Sequence, residues 1–138
     1  MPIRRSPDVS GSRRHIRIAV ADDDPETLEV LRDALGDQDI ELHEATSGAE
    51  LLSLLAEGPP FDLVVTDVSM SWMSGLQVML SLRNAGIGVP AVVITGLADP
   101  ELPAQVSRLG RARLLRKPVG LETLLGSVRE LLEGSPPA

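Results

Sequence analysis

The chain has 138 residues, enough for one domain with a buried core but not for a second module. It contains no cysteine and no apolar stretch of membrane-spanning length, which excludes disulfides and thiolate metal sites and leads us to expect no membrane insertion and a cytoplasmic location. Residues 1–17 carry a formal charge of +4 and the other 121 residues carry −11, so we expect no direct nucleic-acid binding by the acidic domain.

The two ends of the chain have the composition of unstructured tails. Residues 1–14 combine four arginines with proline, serine and glycine, and residues 134–138 read Gly-Ser-Pro-Pro-Ala. Such segments bury too little apolar surface to offset the entropy lost on folding. We therefore predict a disordered basic tail over residues 1–14, a single domain over residues 15–133 and a disordered C-terminal tail over residues 134–138.

Short apolar runs between the tails indicate strands. Four runs rich in Val, Ile and Leu predict strands buried on both faces, at residues 16–21, 63–66, 91–95 and 112–115. A weaker alternation at residues 40–45 predicts an edge strand.

Helix signals follow each predicted strand. The first helix is predicted to begin after Asp24 as N-cap, with Pro25 at its first position, and to end at Gly36. Ser47 and Glu50 predict a capping box for the second helix. The other three helices are predicted at residues 75–85, between Pro100 and Gly110, and at residues 121–133. Five strands that alternate with five helices predict an α/β fold with a doubly wound parallel sheet.

Polar side chains lie at the predicted carboxyl ends of the strands, where open parallel sheets place their chemistry. Asp22 and Asp23 follow the first strand, and Asp67 follows the third. Thr95 ends the fourth strand, and Lys117 comes just after the fifth. Lys117 is the only lysine among thirteen basic residues, which indicates a position that requires a compact point charge.

These residue types suit a metal ion and a phosphoryl group. Three carboxylates brought together repel one another, and a divalent cation relieves that repulsion. Mg²⁺ binds through one or two carboxylates while it accepts a phosphate oxygen, so we expect Mg²⁺ at Asp22, Asp23 and Asp67. The ammonium of Lys117 and the hydroxyl of Thr95 suit the remaining phosphoryl oxygens. A carboxylate can itself accept the phosphoryl group as an acyl phosphate.

Residues 16–133 resemble the receiver domain of bacterial two-component response regulators, of the single-domain chemotaxis-regulator type. The resemblance rests on the acidic pair Asp22 and Asp23, Asp67 44 residues after Asp23, Thr95, and Lys117 followed by proline. It implies a flavodoxin-like, five-stranded sheet in the order 2-1-3-4-5 with five helices. It also implies a phosphoprotein of two-component signal transduction and phosphorelays.

The resemblance assigns roles to the metal-binding residues. Asp67 would be the phosphoacceptor and would contact the metal, Asp23 would ligate Mg²⁺ directly, and Asp22 would act mainly through bound water. The backbone carbonyl of Ser69 would be a further Mg²⁺ ligand.

Two further residues would contact the phosphoryl group by the same resemblance. Thr95 would hydrogen-bond a phosphoryl oxygen and move on activation. Lys117 would pair with the phosphoryl group, and its peptide bond to Pro118 would be cis.

The resemblance also implies partners. A sensor histidine kinase or a histidine phosphotransfer protein would donate the phosphoryl group, and a downstream effector protein would read it at the fourth helix, fifth strand and fifth helix. That surface would carry a basic strip of four arginines: Arg108, Arg111, Arg113 and Arg116. The domain would not be an enzyme in its own right, although it would assist its own phosphotransfer and autodephosphorylation. Homodimer formation is left open.

Three positions depart from the family's pattern. Ser71 stands where proline is usual, Leu114 replaces the usual aromatic switch residue, and Val119 replaces a frequent phenylalanine. Leu114 puts in doubt the common coupling between a threonine shift and an aromatic ring flip, so any output change would depend on backbone or aliphatic repacking.

Alternatives stay open from the sequence. The chain could be a receiver-like module that binds partners without phosphorylation, or a receiver cut from a hybrid kinase or larger regulator. A haloacid-dehalogenase-like phosphatase also uses an aspartyl nucleophile, but it requires a second Asp where this chain has Ser69. Trp72, the only tryptophan, is either a partner contact or an incidental loop residue.

Overall fold

The computed structural model describes residues 15–133, which form five strands in strict alternation with five helices. The predicted tails at residues 1–14 and 134–138 lie outside the described residues. The strands are β1 (Ile16–Ala21), β2 (Ile40–Ala45), β3 (Leu63–Asp67), β4 (Ala91–Thr95) and β5 (Ala112–Arg116). The helices are α1 (Pro25–Leu35), α2 (Gly48–Glu57), α3 (Gly75–Asn84), α4 (Leu102–Ser107) and α5 (Leu121–Leu132).

All the strands pair in parallel, in the order β2-β1-β3-β4-β5. The doubly wound fold and the strand order are therefore confirmed. None of the helices formed by the described residues has the length and apolar character needed to cross a lipid bilayer.

The register of the sheet brings the carboxyl ends of its inner strands to one edge. Ala21 of β1 pairs with Thr66 of β3, and Asp67 pairs with Ile94 of β4. Thr95, the last residue of β4, pairs with Arg116, the last residue of β5. The residues that end these strands or directly follow them therefore meet at a single edge.

The core forms two apolar layers, one on each face of the sheet. Every residue of β3 and β4 is buried, and successive side chains point to opposite faces. Val64 lies in the layer beneath α2, α3 and α4, whereas Leu63 and Val65 lie in the layer beneath α1 and α5. This two-sided burial explains why these strands read as continuous apolar runs.

The predicted capping box of α2 is only half formed. The Ser47 hydroxyl accepts the amide of Glu50 at 3.1 Å, as predicted. The Glu50 carboxylate, however, accepts from the backbone amide of Thr46 at 2.6 Å and from the Thr46 hydroxyl at 3.0 Å. The predicted return bond, from the backbone amide of Ser47 to the Glu50 carboxylate, is therefore wrong. Glu50 contacts Thr46 instead, because Thr46 offers both its amide and its hydroxyl as donors. A complete capping box forms at α3, between Ser74 and Gln77.

Arg83, in the last turn of α3, hydrogen-bonds the segment that follows α4 and the segment that precedes β4. Its Nε donates to the carbonyl of Leu109 at 2.7 Å, Nη1 donates to that of Ile87 at 2.9 Å, and Nη2 donates to that of Val89 at 2.8 Å. Burial, and then the charge of Arg111, lower the pKa of Arg83. The planar guanidinium suits this set because its donors point in several directions at once.

We expect Arg83→Met to lower the free energy of unfolding by about 1–3 kcal/mol, because these three carbonyls and that of Gly110, which Nη2 also contacts at 3.4 Å, lose a charged donor. Urea denaturation measures this change. Arg108→Met is the matched control, since the exposed Arg108 side chain makes no hydrogen bond or ion pair within residues 15–133, and it should change stability by less than about 0.5 kcal/mol. Equal effects of the two substitutions would contradict the role given to Arg83.

Candidate functional site

The carboxylates of Asp22, Asp23 and Asp67 come together at the carboxyl edge of the sheet. Asp22 directly follows β1 and is 1% exposed, and Asp67 ends β3 and is 5% exposed. Asp23 is exposed at the mouth of the site. One carboxylate oxygen from each of the three lies within 4.8 Å of the others. The structure thus places the predicted metal-binding carboxylates in one cluster.

Lys117 joins the two buried carboxylates. Its Nζ lies 3.4 Å from Asp22 Oδ2 and 3.5 Å from Asp67 Oδ1, and its side chain is 33% exposed. The peptide bond between Lys117 and Pro118 is cis, as predicted. With all groups ionised, three carboxylates face one ammonium, so this cluster of four side chains keeps a net charge of −2.

Backbone hydrogen bonds fix the residues of the cluster. The amide of Asp24 donates to Asp22 Oδ1 at 2.9 Å, and the amide of Asp22 donates to the carbonyl of Ala45 at 3.2 Å. The amide of Lys117 donates to the carbonyl of Thr95 at 2.8 Å. This bond fixes the backbone of Lys117 beside the end of β4, and its side chain extends from there to the carboxylates.

Thr95 lies at the same edge, on the strand next to Asp67. It is buried, and its hydroxyl accepts a hydrogen bond from the amide of Leu97 at 2.9 Å. Because the hydroxyl acts as an acceptor in this bond, its own proton remains able to donate.

Ser69 lies two residues after Asp67, at an open groove of about 750 Å³ that Asp23 also lines. Trp72 and Leu97 line the same groove. Trp72 is 89% exposed and has a φ of 73°, a left-handed conformation that is strained for a bulky side chain. The predicted site residues are thus brought together, with Ser69 at the outer part of the site.

The polar contact of Thr66 was not predicted, because Thr66 lies within the apolar run at residues 63–66 that predicts a strand. The buried Thr66 hydroxyl donates to the carbonyl of Asp67 at 3.0 Å. A single hydroxyl at the end of the run Leu-Val-Val-Thr was the signal that could have indicated a polar contact there, since buried hydroxyls need partners.

Burial and the negative charges of the site shift the pKa values of Asp67 and Lys117. Burial, and then the charge of Asp22, raise the pKa of Asp67, and Lys117 opposes this only in part. For Lys117, burial acts to lower the pKa, but the charges of Asp67 and Asp22 outweigh it, so the pKa of Lys117 is raised. The lysine therefore stays protonated at neutral pH, and the carboxylates still lack positive charge.

The donor set fits Mg²⁺. Its oxygens are carboxylates, which are hard ligands of the kind that Mg²⁺ prefers, and they carry more negative charge than Lys117 neutralises. The exposed position of Asp23 leaves room for the water molecules that Mg²⁺ usually keeps.

Comparison with known proteins agrees with the fold. Residues 18–129 match the family model for the response regulator receiver domain. Response regulator MprA of Mycobacterium sp. (strain KMS) is 38% identical over 124 residues, which cover 88% of this chain and 53% of that protein. The chain belongs to the response regulator receiver domain family. It spans about half the length of the curated relatives it matches.

Solved receiver domains share the architecture. The receiver domain of the response regulator NarL from Mycobacterium tuberculosis is 26% identical, with a TM-score of 0.78, over 88% of this chain and 99% of that one. The receiver domain of the Francisella response regulator 1452 is 24% identical, with a TM-score of 0.77, over 86% of this chain and 98% of that one. The second likeness shows the fold alone. Neither the family match nor these neighbours point to the phosphatase alternative.

We expect Asp67→Asn to stabilise the metal-free protein at neutral pH. The pKa of Asp67 is higher in the folded than in the unfolded chain, so ionisation of Asp67 costs stability as the pH rises through its folded-state value. Asparagine removes this cost. The gain in the free energy of unfolding should be small in acid and should grow toward neutrality.

Urea denaturation at a series of pH values, with a chelator present, measures this gain. Glu57→Gln is the control for the loss of one carboxylate charge, because Glu57 is an exposed carboxylate outside the cluster. A destabilised Asp67→Asn protein at neutral pH would contradict the crowding of charge described above.

Proposed function

We propose that this receiver domain accepts a phosphoryl group on Asp67 from the phosphohistidine of a sensor histidine kinase or a histidine phosphotransfer protein, with Mg²⁺ as cofactor. One observation supports this most strongly. Asp22, Asp23 and Asp67 bring their oxygens within 4.8 Å of one another, and a single ammonium, that of Lys117, contacts both buried carboxylates. Membership of the receiver family supports the same function.

Asp67 is the nucleophile of the proposed transfer. One of its carboxylate oxygens forms a bond to phosphorus while the bond from phosphorus to the donor's imidazole nitrogen breaks. The imidazole leaves with that electron pair and takes up a proton. The product is an acyl phosphate on Asp67, and its later hydrolysis restores the carboxylate and releases inorganic phosphate. The domain thus acts as a phosphoacceptor that resets itself.

Asp22, Asp23, Asp67 and the backbone carbonyl of Ser69 would hold Mg²⁺, with Asp23 as a direct ligand and Asp22 acting mainly through bound water. When bound, Mg²⁺ supplies the positive charge that neutralises the transferring group. The three carboxylates would therefore act as ligands without repelling the incoming phosphoryl group.

Lys117 and Thr95 would hold the phosphoryl oxygens. Lys117 already shares its ammonium between Asp22 and Asp67, so a phosphoryl group on Asp67 would place new negative charge beside it. The Thr95 hydroxyl can donate to a phosphoryl oxygen because its bond to the Leu97 amide uses it only as an acceptor. A shift of Thr95 toward the phosphoryl group would move the loop after β4, where Leu97 is exposed.

The output surface would be the face formed by α4, β5 and α5. Its basic strip is the set Arg108, Arg111, Arg113 and Arg116, all of which are exposed. An effector with an acidic surface fits this strip by charge, and a second copy of the chain is the alternative partner. Leu114 is half-buried against the layer beneath α2, α3 and α4, so the change would reach this face by aliphatic repacking.

Incubation with phosphoramidate and Mg²⁺ tests the proposed function without a partner protein. We expect the intact mass to rise by one phosphoryl group, and proteolytic mapping to place that group on the peptide that contains Asp67. Asp67→Asn should remain unmodified, and a chelator should prevent modification of the wild-type protein. Absence of a phosphoryl adduct on the wild type, or an equal adduct on Asp67→Asn, would contradict the proposal and favour a binding module that works without phosphorylation.

A further inference from the structure

The loop that links β3 to α3, residues 68–74, is pressed against the first turn of α2. The amide of Gly48 donates to the carbonyl of Ser71 at 3.3 Å. A Cβ atom added at Gly48 would lie 1.9 Å from the carbonyl oxygen of Met73 and 2.6 Å from its Cβ. These distances are far below a normal contact, so glycine is the only residue that fits at position 48 without movement.

The same loop is closed at its other end. The amide of Gly75 donates to the carbonyl of Val68 at 3.1 Å. A Cβ atom at Gly75 would lie 2.3 Å from the carbonyl oxygen of Asp67 and 2.5 Å from Thr66 Oγ1. Both ends of the loop therefore lie beside Asp67, and Gly48 contacts its middle, at Ser71 and Met73.

Trp72 shows the effect of this arrangement on the loop. It lies between Ser71 and Met73, the two residues that Gly48 contacts, and it has a φ of 73° with its side chain 89% exposed. Because so little of the Trp72 side chain is buried, its burial contributes little free energy to offset the strain of a left-handed backbone conformation. The packing on either side therefore imposes this conformation.

We propose that Gly48 is a positioning residue for the phosphorylation site. Through Ser71 and Met73 it holds the loop in place, and with it Ser69, at the groove that Ser69 shares with Asp23. The inference rests on the proposed function, in which the Ser69 carbonyl and Asp23 contribute to one Mg²⁺ site. It adds a residue of α2, remote in sequence from every predicted site residue, to the set that shapes that site.

A methyl group at position 48 would displace the loop and leave α2 in place. The helix is anchored in the core by Leu51 and Leu55, which are buried. In the loop, Ser69, Ser71 and Trp72 are exposed and Met70 and Met73 are only partly buried against the core. Val68 is its one buried residue, so the loop has fewer buried contacts to lose than α2. Alanine is also a better helix former than glycine, which offsets part of the cost of the clash.

The test compares Gly48→Ala with Gly58→Ala at the other end of α2, where an added Cβ would make only an ordinary contact, 3.6 Å from the carbonyl oxygen of Leu54. We expect Gly48→Ala to weaken Mg²⁺ binding by about tenfold to a hundredfold, as is typical when a group that orients a metal ligand is changed. We also expect a shifted Trp72 emission in the metal-free protein. Gly58→Ala should match the wild type in both. Wild-type Mg²⁺ affinity and emission in a folded Gly48→Ala protein would overturn the proposal.

Hydrogen exchange of the wild-type protein gives a test that needs no variant. If Gly48 and the metal site are coupled, Mg²⁺ should slow exchange of the Gly48 amide, which donates to Ser71. The Leu51 amide, which donates to the carbonyl of Ser47, the N-cap of α2, should be unaffected. Mg²⁺ binding with no change at the Gly48 amide would overturn the positioning role and leave the proposed function standing. A wild-type protein that binds no Mg²⁺ would instead count against the proposed function, and the Trp72 emission of the two variants would still test the contact with the loop.

Discussion

Repulsion among carboxylates at one edge of the sheet is the constraint on which the rest of the site depends. Asp22 and Asp67 are almost fully buried, and both share the single ammonium of Lys117. Burial and repulsion from Asp22 raise the pKa of Asp67, so the ionised cluster lowers the stability of the folded chain. The deficit of positive charge favours the binding of a divalent cation there, and a bound cation would in turn offset the repulsion between the carboxylates and a transferring phosphoryl group.

The apolar layers of the sheet hold these charges in place. All residues of β3 and β4 are buried, and the parallel register aligns the end of β3 with the ends of β1 and β4. Lys117 reaches the carboxylates from a backbone that is hydrogen-bonded to Thr95. The loop after Asp67 is in turn fixed by Gly75 and by Gly48 of α2. Hydrophobic burial thus offsets the free energy that the crowded charges cost.

The sequence predicted the fold and the central residues because both leave local signals. Apolar runs marked β1, β3, β4 and β5, and the polar residues that end or follow these strands included Asp22, Asp67 and Lys117, which parallel pairing had to bring together. The prediction that residues 112–115 form a strand buried on both faces was wrong, because β5 is an edge strand with no fully buried residue. The contacts of Gly48 with the β3–α3 loop left no such signal, because they depend on how two segments some 25 residues apart meet in space. The hydrogen bonds of Arg83 were missed for the same reason, since carbonyls of separate segments accept them.

The most direct test of this account is the Mg²⁺ affinity of Lys117→Met, measured by calorimetry beside that of the wild type at neutral pH. Lys117 is the one ammonium in contact with Asp22 and Asp67 among the described residues, and methionine keeps much of its shape without its charge. If a deficit of positive charge drives cation binding, Lys117→Met should bind Mg²⁺ more tightly than the wild type, because the competing ammonium is gone. Weaker binding by Lys117→Met, or no binding by either protein, would contradict the account.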